Sequence, residues 1–128
     1  MKLYYQDWDY RKNNTDKYPE LKAITSYPNS FWIISNPKKP LKRVTQRIHR
    51  LCRRAYPYQP VIVLYAIPGR DMGGHSKGGL NEKQYLQYVG DIARGIGKYK
   101  PIVIFEPDAI PHMRKMNFYY RTKRTRVI

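Results

Sequence analysis

The sequence predicts an α/β fold built on parallel strands, and three observations carry that expectation. Three short runs, SFWII at 30–34, PVIVLY at 60–65 and PIVIF at 101–105, are rich in β-branched and aromatic residues. Two segments with apolar residues at helical spacing separate them. The second and third runs are apolar throughout, the habit of strands covered on both faces in a parallel sheet. Strand, helix, strand, helix, strand in that order argues for parallel pairing through right-handed crossovers.

Residues 1–30 are polar and tyrosine-rich, with Asn13-Asn14 and no clear period, and read as an extended arm or a peripheral turn. The run at 30–34 ends at Asn36-Pro37. Pro40 sits where a first helical turn tolerates it. Leu41, Val44, Ile48, Leu51, Cys52 and Ala55 follow on one face, opposite the basic residues, which predicts an amphipathic helix from about 40 to 55, stopped before Pro57. A glycine-rich loop, YAIPGRDMGGHSKGG at 65–79, follows the second strand. Asn81 with Gln84 makes a capping-box pattern. Tyr85, Val89, Ile92, Ala93 and Ile96 mark the inner face of the helix it starts, ending near Gly95-Ile96-Gly97. The third strand runs directly into Glu106-Pro107-Asp108. A third helix is due after it, yet the residues from Lys115 onward are basic, aromatic and without period. The chain therefore divides into a polar N-terminal arm (1–30), an α/β region (31–113) and a basic tail (114–128).

At 128 residues the chain suits one domain. No apolar stretch approaches the ~18 residues of a membrane span. The opening MKLYYQDWDYRKNN lacks the apolar core of an export signal, which as written points to the cytoplasm. Cys52 is the single cysteine, so it has no internal disulfide partner and reads as a small apolar residue on a helix face. A net charge of +16 draws the chain to polyanions. The cations concentrate between Lys38 and Arg54 and again from Arg114 to Arg126. That distribution supports an alternative class, a small basic nucleic-acid-binding protein with arginines on one helix face and tyrosines in the tail. Against it, no known binding motif appears, and a basic helix face is ordinarily just solvated. Lys77 in GGHSKGG is not followed by Ser or Thr, as a phosphate-cradling P-loop requires.

Asp71 is the only acid between Glu20 and Glu82, and it stands where an apolar strand surfaces into a glycine-rich loop. Asp108 stands just past the end of the next strand. In parallel α/β sheets the loops at the carboxyl ends of the strands form the working face. Neighbouring strands lie ~4.8 Å apart, so both acids are expected over one rim. Two carboxylates that close cannot both ionise freely, and one is expected to hold its proton, as general-acid chemistry needs. Arg70, beside Asp71, is positioned to keep the other charged. The plainer reading is that each Asp is a turn former or helix cap. Both readings stand on the spacing alone.

The segments VIVLYAIPGRDMGGHSKGG at 61–79 and IVIFEPDAI at 102–110, with YLQYVGDIARGIG between them, resemble glycoside hydrolase family 6, the inverting cellulases. The likeness is clear over 61–113 and weaker over 31–60. It implies the N-terminal part of a distorted, here incomplete, (β/α) barrel with parallel strands. It implies hydrolysis of β-1,4-glucosidic bonds in cellulose or related β-glucan, with a cello-oligosaccharide as ligand and no cofactor. By resemblance Asp108 is the general acid and Asp71 the carboxylate that tunes it. Tyr65 assists distortion of the reactive sugar, Arg70 positions the carboxylates, and Ser76 holds the catalytic water. The family is mostly secreted, unlike what the N-terminus here suggests. It also usually carries, after the equivalent of Asp71, a cysteine bonded to another beyond the second motif. Here Met72 follows and no later cysteine exists, so the loop is expected to be held less firmly. The family's domain is at least twice this long. The resemblance therefore implies a truncated, weakly active or inactive form, and leaves open a carbohydrate-binding remnant without catalysis.

Trp32 is a candidate for stacking on a sugar, with the core or barrel rim the favoured place for a residue in an apolar strand run. Glu106 is a candidate at the substrate site, with loop orientation by hydrogen bonding the favoured role. His49, His75 and His112 lack metal-ligand spacing, and no metal site is expected.

Overall fold

The computed structural model describes residues 2–4, 17–25, 27–35, 43–71, 75 and 78–113. Three strands, β1 (Ser30–Ile34), β2 (Val61–Tyr65) and β3 (Ile102–Phe105), form one sheet in the order β1-β2-β3. Both pairs are parallel, with Trp32 opposite Val63 and Val63 opposite Ile104. The helices are α1 (Leu21–Thr25), α2 (Val44–Ala55), α3 (Glu82–Ile96) and α4 (Ala109–Met113). None of them is long and apolar enough to cross a membrane.

Strand alternation sends Ile33, Ile62 and Leu64 to one face, where they meet Val44, Ile48 and Cys52 of α2 and Tyr85, Tyr88 and Ile92 of α3 in a single core. The inner face of α2 follows the apolar spacing, with Ala55 also buried and Leu51 packed at its edge. Arg43 precedes the helix in a left-handed conformation, so the described helix begins at Val44; residues 36–42 lie outside the described residues. The capping box of α3 forms as its sequence predicts. Asn81 Oδ1 accepts from the Gln84 amide, and Gln84 Oε1 accepts from the Asn81 amide. The inner face of α3 differs from expectation at one place: Ala93 is exposed, and Tyr88 and Gly95 are buried instead. The reason is the close approach of α2. A Cβ at Gly95 would lie 2.6 Å from the Thr45 carbonyl oxygen, so glycine lets the helices touch there. Thr45 Oγ1 donates to the Asp91 carbonyl across the same contact.

Both crossover helices thus lie on one face of the sheet, as in the wall of a barrel; a doubly wound sheet would place helices on both faces. The other face carries Trp32, Ile34 and Ile104, all exposed, around the buried Val63 and Tyr65. β3 is more exposed than its wholly apolar sequence suggests, because it is an outer strand of the described sheet. Near the N-terminus, Leu3 pairs with Gln59 and the Tyr4 ring stacks on Phe31, which ties residues 2–4 alongside the start of β2. The helix that follows β3 is the short α4, placed before the basic tail; residues 114–128 lie outside the described residues.

Candidate active site

The candidate site is the rim at the carboxyl ends of β2 and β3. Tyr65 is the last residue of β2 and is 7% exposed. Its hydroxyl donates to the Asp108 carboxylate, and the charges of both Asp108 and Asp71 act on it. Burial, then the Asp108 hydrogen bond and charge, then Asp71, push the phenol up to about 12, against a downward pull from Arg70. Tyr65 is therefore a neutral donor throughout the physiological range. Two acids far apart in sequence thus act on this one phenol, Asp108 by hydrogen bond and charge and Asp71 by charge.

Each acid is delivered by a distinct backbone device. Asp71 (φ 57) and Glu106 (φ 45) both adopt left-handed conformations, which β-carbon sterics make uncommon outside glycine. Glu106 turns the chain sharply at the end of β3 and sets Asp108 two residues on. Its amide still donates to the Leu64 carbonyl at 3.0 Å, extending the parallel ladder by one bond. Its carboxylate accepts from the Ala66 amide at 2.9 and 3.1 Å. At 2% exposed, Glu106 faces the backbone and not solvent, so its geometry fits loop orientation and offers no open acceptor to a sugar.

Arg70 is also buried and is spent on geometry. One guanidinium nitrogen donates to the Ser35 carbonyl at 3.2 Å and to the Tyr65 carbonyl at 2.9 Å, tying the ends of β1 and β2 together. The guanidinium carbon lies 5.1 Å from the centre of the Tyr65 ring, within cation–π reach. Arg70 thus holds the backbone and the ring of the residue on which the carboxylates converge.

The loop after β2 is closed at its neck by backbone contacts. Arg70 pairs with Gly78, and the Leu80 amide donates to the Ala66 carbonyl at 2.8 Å. Gly79 (φ 91) makes that neck possible: a Cβ there would sit 2.0 Å from the Ile67 carbonyl oxygen. Ser76 and Met72 lie outside the described residues.

Trp32 is 49% exposed, with its ring edge-on to Tyr65 at 5.8 Å and an interplanar angle of 87°. Its indole nitrogen donates to Ser30 Oγ at 3.1 Å, which fixes the ring on the uncovered face of the sheet. Trp32 is thus neither core nor remote, but an apolar surface beside the site.

One participant is invisible to motif reading. Tyr88, buried on α3, donates its hydroxyl to the Ile33 carbonyl at 2.6 Å. Burial first, then the charge of Glu106, push its phenol up, with Arg70 opposing. Tyr88, Glu106 and Arg70 form a layer of polar groups beneath the rim. The position of Tyr88 three residues after Tyr85 was the available signal, since both fall on one helix face. Among the described residues no group of His, Cys, Asp and Glu gathers as metal ligands.

A family model described as glycosyl hydrolases family 6 matches residues 5–126. That match is wider than the segment 61–113 and takes in much of the basic tail, so the likeness does not stop after Met113 as its motifs alone suggest. Endoglucanase A of Cellulomonas fimi is 37% identical over 114 residues, which is 85% of this chain and 24% of that protein. Endoglucanase 1 of Streptomyces sp. (strain KSM-9) is 34% identical over 106 residues, 79% of this chain and 28% of that protein. The endoglucanase Cel6 from Mycobacterium tuberculosis was solved with a methyl-cellobiosyl-4-deoxy-4-thio-β-D-cellobioside. It superposes with a TM-score of 0.81 at 25% identity, covering 96% of this chain and 44% of that one. The chain spans about a quarter of the length of these two curated relatives.

Proposed function

Because the chain belongs to glycosyl hydrolases family 6, we propose that its rim is the acid half of an inverting glycosidase site for β-1,4-glucan. The observation that carries this reading is the convergence of Asp108 and Asp71 on the Tyr65 phenol. Asp108 gives its proton to the leaving glycosidic oxygen. Asp71, beside it, faces the positive charge that grows on the sugar ring. Tyr65 orients Asp108 through its hydroxyl and presents its ring to the reactive sugar. Arg70 positions both carboxylates indirectly, by holding the strand ends from which they hang. Trp32 offers its exposed ring face to a neighbouring pyranose. Ser76 is the proposed anchor of the attacking water, which enters from the opposite side of the ring and inverts the anomeric carbon.

The reading extends to architecture. The three-stranded sheet, with helices on one face only, is proposed as part of the wall of a (β/α) barrel, its uncovered face turned inward. The described residues place no second wall across from Trp32, Ile34 and Ile104, so the chain by itself is expected to turn over glucan slowly or not at all. The test is release of reducing ends from a soluble cellulose derivative, with the anomer of the first product read by NMR. Cleavage that yields the α-anomer and is lost in Asp108→Asn supports the proposal. Undiminished cleavage by Asp108→Asn would remove Asp108 from the chemistry.

A further inference from the structure

The end of the sheet opposite the rim has a different character. A depression of about 600 Å³ opens beside Pro60, where β2 begins, with Lys2, Arg53, Lys98 and Lys100 among its lining residues. Tyr56 and Tyr58 stand exposed at its edge, Tyr56 by 73%. Arg53 also borders a shallower depression that holds His49, Arg50 and Arg94. Lys2, Tyr56 and Tyr58 also border a third, which holds Arg54. The shared residues make these three one continuous surface, and among the described residues no acid lines any of them. Asp91, which pairs with Arg94, marks its far limit.

We propose that this basic, tyrosine-edged surface binds an acidic polysaccharide, a chain of uronate sugars, and anchors the protein to it away from the rim. The cations match a polymer with one carboxylate on every ring, and arginine suits carboxylate in particular because its fork bonds both oxygens. The exposed tyrosines supply flat apolar faces for the pyranose rings between charges. A single strand of nucleic acid is the other polyanion of this kind. The rings do not separate the two, because an exposed tyrosine face accepts a base as readily as a pyranose. The choice of a sugar polymer rests on the glycosidase reading above, and RNA binding is an outcome of the test.

Affinity of the full chain for polygalacturonate, its fully methyl-esterified form and poly(U) RNA, at matched salt, tests the proposal. Binding is expected to the uronate and not to the ester, and it should weaken as salt rises. The pair Arg53→Glu and Lys100→Glu should lose about tenfold or more, whereas Lys17→Glu and Lys83→Glu, an equal change in net charge elsewhere, should lose about twofold at most. Tyr56→Ala with Tyr58→Ala should cost about fivefold, a loss that a purely ionic contact would not show. All six positions are exposed, so each variant is expected to keep the native unfolding transition. Equal loss from the two charge pairs, equal binding of the ester, or tighter binding of RNA would overturn the proposal. Cleavage of neutral β-glucan is read separately. Cleavage that Asp108→Asn leaves undiminished would defeat the glycosidase reading while the uronate binding result stood.

Discussion

The two ends of the sheet use charge in opposite ways. At the carboxyl rim, Arg70 and Glu106 are buried and bonded to backbone groups, and their work is to hold Tyr65 and the two aspartates in place. At the amino pole, Lys2, Arg53, Lys98 and Lys100 are exposed, and no acid is among the described residues of the surface they line. The lesson is that a strongly basic composition says little about which cations act. The buried arginine is bonded to the ends of two strands, so its loss would disturb the rim, whereas the exposed cations are free to meet a partner and carry little of the fold.

This contrast can be broken by substitution. The largest effect is expected at the chemistry itself. Asp108→Asn should lower whatever glucan cleavage the parent chain shows by about 10²–10⁴-fold, with the unfolding midpoint unchanged, because it removes the proton donor but keeps an acceptor for Tyr65. Gly79→Ala should come next, destabilising by about 3 kcal/mol or more in urea unfolding, since its Cβ would collide with a backbone oxygen. Glu106→Ala would leave the buried Ala66 amide without its carboxylate and should cost about 2 kcal/mol.

Tyr65→Phe addresses the rim at high pH. The folded phenol sits near 12 against an ordinary 10.0. Its contribution to stability is therefore complete below pH 10.0 and lost as pH rises towards 12. Stability measured across that window should fall less steeply in Tyr65→Phe than in the parent. The smallest effect belongs to the pole: Arg54→Ala should shift stability by no more than about 0.5 kcal/mol. A change of several times that size would mean that the pole, too, is built into the fold, and the contrast would fail.

Much of this arrangement is legible before folding. The apolar runs, the inner face of α2, most of that of α3 and the Asn81–Gln84 box all depend on neighbours within a turn or two of chain, and each appears in the structure. The positions of Asp71 and Asp108 after successive strands are also local facts. What the motif could not convey is how Glu106 and Arg70 are oriented. Orienting roles for both were expected, but the partners they bond by turning inward, Ala66 for Glu106 and Ser35 and Tyr65 for Arg70, lie far off in sequence or on backbone groups that no motif names.

Sequence by itself therefore determined the order of the three strands and the two helices between them, most of their polar and apolar faces and the acids at the strand ends, because hydrophobic period and capping are short-range. Tertiary structure alone decided that Tyr88 reaches Ile33, that Gly79 and Gly95 must lack a side chain, and that Trp32 stands beside Tyr65. Those outcomes depend on which distant backbone atoms arrive at the same place. Burial enforces them, since an amide or carbonyl withdrawn from water has to find its partner wherever the packed chain supplies one.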